Sequence, residues 1–229
     1  MGTVTRGPML IRLGLLAALA AVVVVVAVLL AGGDSTDGDK GGGTPAATTS
    51  ALRGVPQSGI ALGSPDAPVT MVEFADLQCP FCKEYSENVF PELLKRYVRT
   101  GKLRLELQLL RFLGPDSDRL ARVAAAAAAQ NRMWQFVTLA YDRQGAENSG
   151  YATDDFINKL TADAGLVSPD AGAAAEALIR DAERQARRAQ IESTPSFLIG
   201  PTGGPFQRFQ PSELTPGAFV PRIEEELGK

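Results

Sequence analysis

The chain has 229 residues, 45% of them hydrophobic, which is enough for one sizeable folded domain with additional segments. Its formal charge of −3 excludes partners recruited by bulk positive charge, so no nucleic acid is expected to bind it. It contains no histidine, which removes Ser-His-Asp triads, Cys-His pairs, histidine metal ligands and a histidine general base.

Arg6 and Arg12 precede residues 13–31, a stretch without a polar side chain. At about 1.5 Å per residue this stretch covers roughly 28 Å, the hydrocarbon thickness of a bilayer, and it exceeds the apolar core of an ordinary signal peptide. A single transmembrane signal anchor is therefore expected at 13–31, in preference to a leader cleaved after Gly33. Because the basic residues lie only on its N-terminal flank, residues 1–12 are expected in the cytoplasm and everything after 31 outside the cell membrane. Disulfides form and persist in such a compartment. Residues 32–54 are rich in Gly, Thr and Asp with almost no large apolar side chain, and read as a flexible linker. That linker offers no dimerisation domain, so a monomer is expected.

Residues 55–229 alternate strand-like and helix-like segments, the pattern of an α/β domain. Residues 69–75 form a near-continuous apolar run expected of a buried strand. Pro80 stands where a helix begins, and Tyr85, Val89, Leu93, Leu94 and Tyr97 recur at helical spacing as far as Thr100 and Gly101. Residues 103–110 alternate with period two and predict a second strand. From about 115 to 190 the character is helical, including six alanines at 124–129, which predicts an inserted helical subdomain. Strands return at 196–199 and 206–209, joined by a glycine-rich turn. A last helix starts after Thr215, with Pro216 in its first turn and Phe219, Val220, Ile223 and Leu227 on one face.

The only two cysteines, Cys79 and Cys82, flank Pro80 and Phe81 between the first strand and its helix. Such a pair can bind metal, staple the chain or cycle between dithiol and disulfide. Two thiolates without histidine fall short of a closed zinc or iron-sulfur site, and no metal or organic cofactor is expected. A staple closing so short a loop removes little unfolded-chain entropy. Redox cycling is the reading that remains strongest. Cys79 takes the helix cap position, where unpaired N–H groups and the helix dipole favour a thiolate. Cys82, one turn further in, is expected to be more buried and to resolve the mixed disulfide. Lys83 reads as a surface lysine.

Glu73 is a carboxylate in the middle of an apolar strand. If buried, it is a proton-transfer candidate for Cys82; if the strand is half exposed, it simply faces solvent. Asp76 and Gln78 read as loop lining. Far downstream, Thr194 and Pro195 directly precede a strand, and a proline there marks a candidate cis bond in a tight turn.

Together, EFADLQCPFC, the inserted helical region and STPSFLIG resemble the DsbA-like branch of the thioredoxin superfamily over about residues 57–228. The resemblance implies a thioredoxin-like fold with an inserted α-helical subdomain, in which Trp134 and Phe136 pack the insertion. It implies that the Thr194–Pro195 bond is cis and that this loop, with Pro80 and Phe81, contacts the substrate chain. The implied activity is thiol/disulfide exchange that introduces disulfides into exported, cysteine-containing proteins, with reoxidation by a quinone-linked membrane partner. A reductase or isomerase, or a non-catalytic module using the same groove, are the alternatives. One departure matters: the strongly oxidising member of the family has histidine between its cysteines, where this chain has Phe81. The expected potential therefore lies between those of thioredoxin and DsbA, about −270 and −120 mV.

Overall fold

The computed structural model describes Gly2, residues 50–169 and residues 172–229. The expected anchor at 13–31 and the linker as far as residue 49 lie outside the described residues. Among the described residues no helix is long and apolar enough to cross a membrane.

The centre of the domain is β3 (Val69–Ala75), flanked by the short β1 (Gln57–Ser58) and β2 (Ala61–Leu62), by β4 (Leu103–Leu109), and by β5 (Ser196–Pro201) and β6 (Gln207–Phe209). The sheet order is β1-β2-β4-β3-β5-β6. Strand β3 pairs parallel with β4 and antiparallel with β5, and all seven of its residues are buried. A parallel pair needs a long crossover, supplied here by helix. That crossover starts as α1 (Pro80–Asn88), breaks at Val89, and resumes as α2 (Phe90–Leu93) followed by a π turn, Leu94–Val98. The spacing predicts one helix here. Pro91 interrupts it, because proline has no N–H to offer the Glu87 carbonyl and its ring crowds that turn.

The helical insertion comprises α3 (Pro115–Ala129), α4 (Met133–Asp142), α5 (Asp154–Ala164) and α6 (Gly172–Arg188). Ala124, Ala125, Ala126, Ala127 and Ala128 are all buried, and their small side chains let α3 approach its neighbours closely. Phe136 is buried, as expected, and Trp134 stacks on Phe90 with ring centroids 5.5 Å apart. The indole N–H of Trp134 also donates to the Ile60 carbonyl, fastening the insertion to the sheet edge. In the same core, Phe197 packs against Tyr85, Phe209 and Phe219, the last from α7 (Pro216–Leu227). Thr215 occupies the N-cap position of α7, but its hydroxyl reaches Glu213 instead of capping the helix.

Two features were not visible in the sequence pattern. The β1–β2 hairpin has two residues per strand, too few to show alternation, and turns at Gly59 with φ 59°, a conformation that glycine adopts without strain. The domain also takes in residues that composition assigns to the linker: Leu52 is buried in the core, and Arg99 donates to the carbonyls of Ala51 and Arg53.

Candidate active site

The pairing of the strands brings the two distant motifs together. Parallel strands β3 and β4 end on the same side, and β3 delivers the loop carrying Cys79 there. Because β5 is antiparallel to β3, with Ser196 opposite Phe74, the segment before β5 arrives at that same end. The Thr194–Pro195 peptide bond is cis, as the resemblance implies. The Cys79 thiol donates to the Thr194 carbonyl oxygen at 3.2 Å.

Cys79 is the N-cap of α1 and Pro80 its first residue. Proline suits that position because the N–H it lacks has no acceptor within the helix. Both cysteines are free thiols, and Cys82 lies wholly inside. The Cys79 pKa is lowered to about 6, chiefly because the Cys82 thiol donates to it; burial opposes this, while the Thr194 side chain and the backbone N–H groups of Cys82 and Phe81 assist. The two roles of Thr194 are compatible: its carbonyl accepts from the neutral thiol, and its hydroxyl favours the thiolate. Burial pushes the Cys82 thiol well up, reinforced by Cys79 and by the charge of Glu73. The pair is therefore polarised, with the thiol of lower pKa at the helix cap and a protonated thiol behind it.

Glu73 sits between Leu107 and Phe197 on the neighbouring strands and is only 5% exposed, so the solvent-facing alternative fails. Burial, with the charge of Cys79, raises its pKa to about 8. Its Oε1 has no hydrogen-bond partner, and neither has the Tyr85 hydroxyl; both line a cavity of about 10 Å³ bounded by Leu107, Thr138 and Tyr141. Its charge adds to the upward shift of the Cys82 thiol.

The reading of Asp76 and Gln78 as loop lining is corrected by their burial. Asp76 accepts from Gln78 N and the Ser117 hydroxyl at Oδ1, and from Phe112 N and Leu113 N at Oδ2. Gln78 donates to the Leu113 carbonyl and the Ser117 hydroxyl and accepts from Asn148 N. Gln144 donates to the carbonyls of Leu77 and Cys79, Tyr151 to that of Leu77, and Tyr141 to that of Asp76. The insertion thus satisfies the backbone of the cysteine loop instead of merely covering it. Nothing in the spacing of Gln144, Tyr151 or Asn148 points to this, because their partners lie about 65 to 75 residues away.

Pro80 and Phe81 are exposed, Phe81 by 60%, and Phe112, which the sequence reading did not single out, is 49% exposed in the loop held by Asp76. Lys83 is a surface residue paired with Glu87. Among the described residues no group of three or more acidic or cysteine side chains is placed to hold a metal ion.

A thioredoxin family model matches residues 56–203, well over half of the chain. The chain belongs to the thioredoxin family. Within this family it is 34% identical over 99 residues to the probable disulfide bond formation protein D of Bacillus cereus, covering 42% of this chain and 46% of that protein. It is 29% identical over 112 residues to disulfide bond formation protein D of Bacillus subtilis, covering 48% and 50%. The chain spans about half the length of these curated relatives. In fold, this thioredoxin-family chain is similar to oxidised BdbD from Bacillus subtilis, with TM-score 0.64 and 19% identity over 76% of this chain and 98% of that one. It is also similar to alpha-DsbA1 of Wolbachia pipientis, with TM-score 0.62 and 18% identity over 74% and 90%. The resemblance to the DsbA-like branch holds: these folds share the helical insertion in a thioredoxin-like frame.

Proposed function

We propose that this chain is an extracytoplasmic thiol/disulfide oxidoreductase that introduces disulfides into exported proteins through Cys79 and Cys82. The observation that carries the proposal is the polarised pair: Cys79 at a helix N-cap with its pKa near 6, beside a buried Cys82 and 3.2 Å from the carbonyl that precedes a cis proline. The names of the related proteins support the same reading.

In the oxidised enzyme a substrate thiolate attacks Cys79 Sγ, forming the mixed disulfide and breaking the bond to Cys82. Cys82 leaves as a thiolate and takes a proton, which in this reading comes from Glu73, neutral below about pH 8. A second substrate thiolate attacks the substrate sulfur of the mixed disulfide and releases Cys79 as a thiolate. The substrate loses two electrons, and the enzyme becomes the dithiol. In reverse, the Glu73 carboxylate accepts the Cys82 proton as that thiol attacks. Thr194 and Pro195, with Pro80 and Phe81, line the face on which the substrate chain lies. Reoxidation takes two electrons and two protons to a membrane-bound, quinone-linked disulfide carrier.

In this reading residues 13–31 anchor the chain in the cell membrane, residues 1–12 stay in the cytoplasm, and the monomeric catalytic domain is tethered outside. Protease protection of intact cells tests the topology: a domain resistant to external protease would refute it. The equilibrium with glutathione tests the direction of catalysis. A potential between about −270 and −120 mV is expected, and a value more reducing than thioredoxin's would make the chain a reductase.

A further inference from the structure

The segment that leaves α4 folds back onto the cysteine loop and supplies it with hydrogen-bond donors. Tyr141 donates to the Asp76 carbonyl, and Tyr151 to the Leu77 carbonyl at 3.2 Å. Gly145 permits this return of the chain, because a Cβ there would lie 2.5 Å from the Tyr151 ring. Between the two tyrosines, Gln144 reaches Cys79 itself: its amide nitrogen donates to the Leu77 carbonyl at 2.9 Å and to the Cys79 carbonyl at 3.2 Å. Both partners are carbonyl oxygens, which only accept, so the NH₂ end of the amide is the end that faces them.

The Cys79 carbonyl already accepts the first hydrogen bond of α1, from Lys83 N at 3.2 Å, and Gln144 occupies its second lone pair. A carbonyl oxygen carries partial negative charge and opposes a thiolate on the same residue; the donors offset that charge. The titratable groups around Cys79 are Cys82 on α1, Glu73 on β3 and Tyr141 on α4, all neutral or anionic. The chain has no histidine, so the charge that develops on Cys79 is met by dipoles. Gln144 is half-buried, where a dipole is screened less than in water.

We propose that Gln144 is a positioning residue for disulfide exchange: held on the Leu77 and Cys79 carbonyls, it turns the positive end of its amide dipole toward the cysteine loop and makes the thiol pair more oxidising. A thiolate exists in the dithiol and not in the disulfide, so a group that favours the thiolate favours the reduced form. Its contacts run to backbone oxygens, and it therefore acts through Cys79 and not on the substrate. The inference rests on the reading of Cys79 as the sulfur exchanged with substrate, and adds what sets the strength of that exchange.

The test is a charge series at Gln144 in the full-length chain in detergent, read by alkylation of Cys79 in the reduced protein as a function of pH. The wild type should be half-alkylated at about pH 6. Gln144→Met keeps the length and loses both donors, and should move the midpoint to about 6.5; Gln144→Glu adds a negative charge and should move it to about 7; Gln144→Lys donates and adds a positive charge, and should move it to about 5. The equilibrium with glutathione at about pH 7 should follow, by about fivefold toward the disulfide for Gln144→Glu and about ninefold toward the dithiol for Gln144→Lys. A side chain that only braced the loop would move all three midpoints in one direction. Tyr151→Phe removes a donor from Leu77 and none from Cys79, and should leave the midpoint near that of the wild type. The Met and Lys variants fix the sign even if the carboxylate prevents folding. Any order other than Lys, wild type, Met and Glu from low to high pH, or an equal shift in Tyr151→Phe, overturns the proposal. The titration is read on the enzyme's own dithiol, so its outcome is separate from that of the substrate assays that test the proposed function.

Discussion

Cys79 and Thr194, 115 positions apart in the chain, meet in a hydrogen bond from the thiol to the carbonyl oxygen at 3.2 Å. The contact follows from sheet topology: β3 carries the cysteine loop to its end, and antiparallel β5 starts from that end. Cys79 and the segment before β5 are therefore held in one frame by strand pairing, with the insertion supporting the loop.

The first prediction concerns the order in which the thiols act. Cys82→Ser should accumulate mixed disulfides with exported proteins on Cys79, because the buried resolving thiol is gone, while Cys79→Ser should trap none and lose exchange altogether. Non-reducing gels of the two variants decide it, and equal trapping by both would show that Cys79 is not the attacked sulfur.

The second prediction is a pH profile for the reduced protein. Alkylation of Cys79 should be half-maximal at a pH of about 6, with Cys82 unreactive across the same range. The sign is fixed by the depressed pKa: the folded dithiol gains stability that is fully present above the unfolded thiol pKa, about 8.5, and is lost as pH falls through about 6. At pH 7 the reduced form gains on the order of 1 kcal/mol, which raises the potential by roughly 20–30 mV over that of an unperturbed pair.

Glu73 supplies the third. Its pKa is raised, so the folded state holds a proton that the unfolded chain releases, and stability falls as pH rises from about 4.5 to about 8. Glu73→Gln should remove that loss, gaining on the order of a few kcal/mol at pH 8 and almost nothing at pH 4. The same variant should slow exchange at Cys82 by about 10²-fold or more and flatten its pH dependence near 8. Stopped-flow exchange and thermal melts at the two pH values read both effects; a variant with wild-type rates at every pH would remove Glu73 from proton transfer.

A fourth prediction follows from the network beneath the cysteine loop. Asp76→Ala leaves the N–H groups of Gln78, Phe112 and Leu113 and the Ser117 hydroxyl without their acceptor. Denaturant unfolding should show a loss of roughly 3–5 kcal/mol, since each orphaned buried donor costs about 1–3 kcal/mol with partial relaxation. Asp76→Asn, which keeps one carbonyl oxygen, should lose less. Ser117→Ala removes the donor to Asp76 and one acceptor of Gln78, and should cost about 1–2 kcal/mol.

Much of this architecture is written into local pattern. The seven-residue apolar run of β3 is buried over its whole length, Pro80 opens its helix, and the alanine-rich stretch becomes the helical insertion, because burial period and helix propensity are properties of short windows. The spacing of Cys79 and Cys82 and the oddity of Glu73 in an apolar strand were equally readable, since a carboxylate there conflicts with its neighbours. The break at Val89 was readable in principle from Pro91, whose effect on the preceding turn the apolar spacing concealed.

What the sequence by itself determined is thus the set of elements and the chemical identity of the thiol pair. Only the tertiary structure decided how far that pair is polarised. The Cys79 pKa near 6, the buried state of Glu73, and the support that Gln144, Tyr151 and Asn148 give the loop all depend on groups brought close from distant positions. Desolvation and hydrogen bonding act over a few ångströms of space, and separation along the chain carries no record of them.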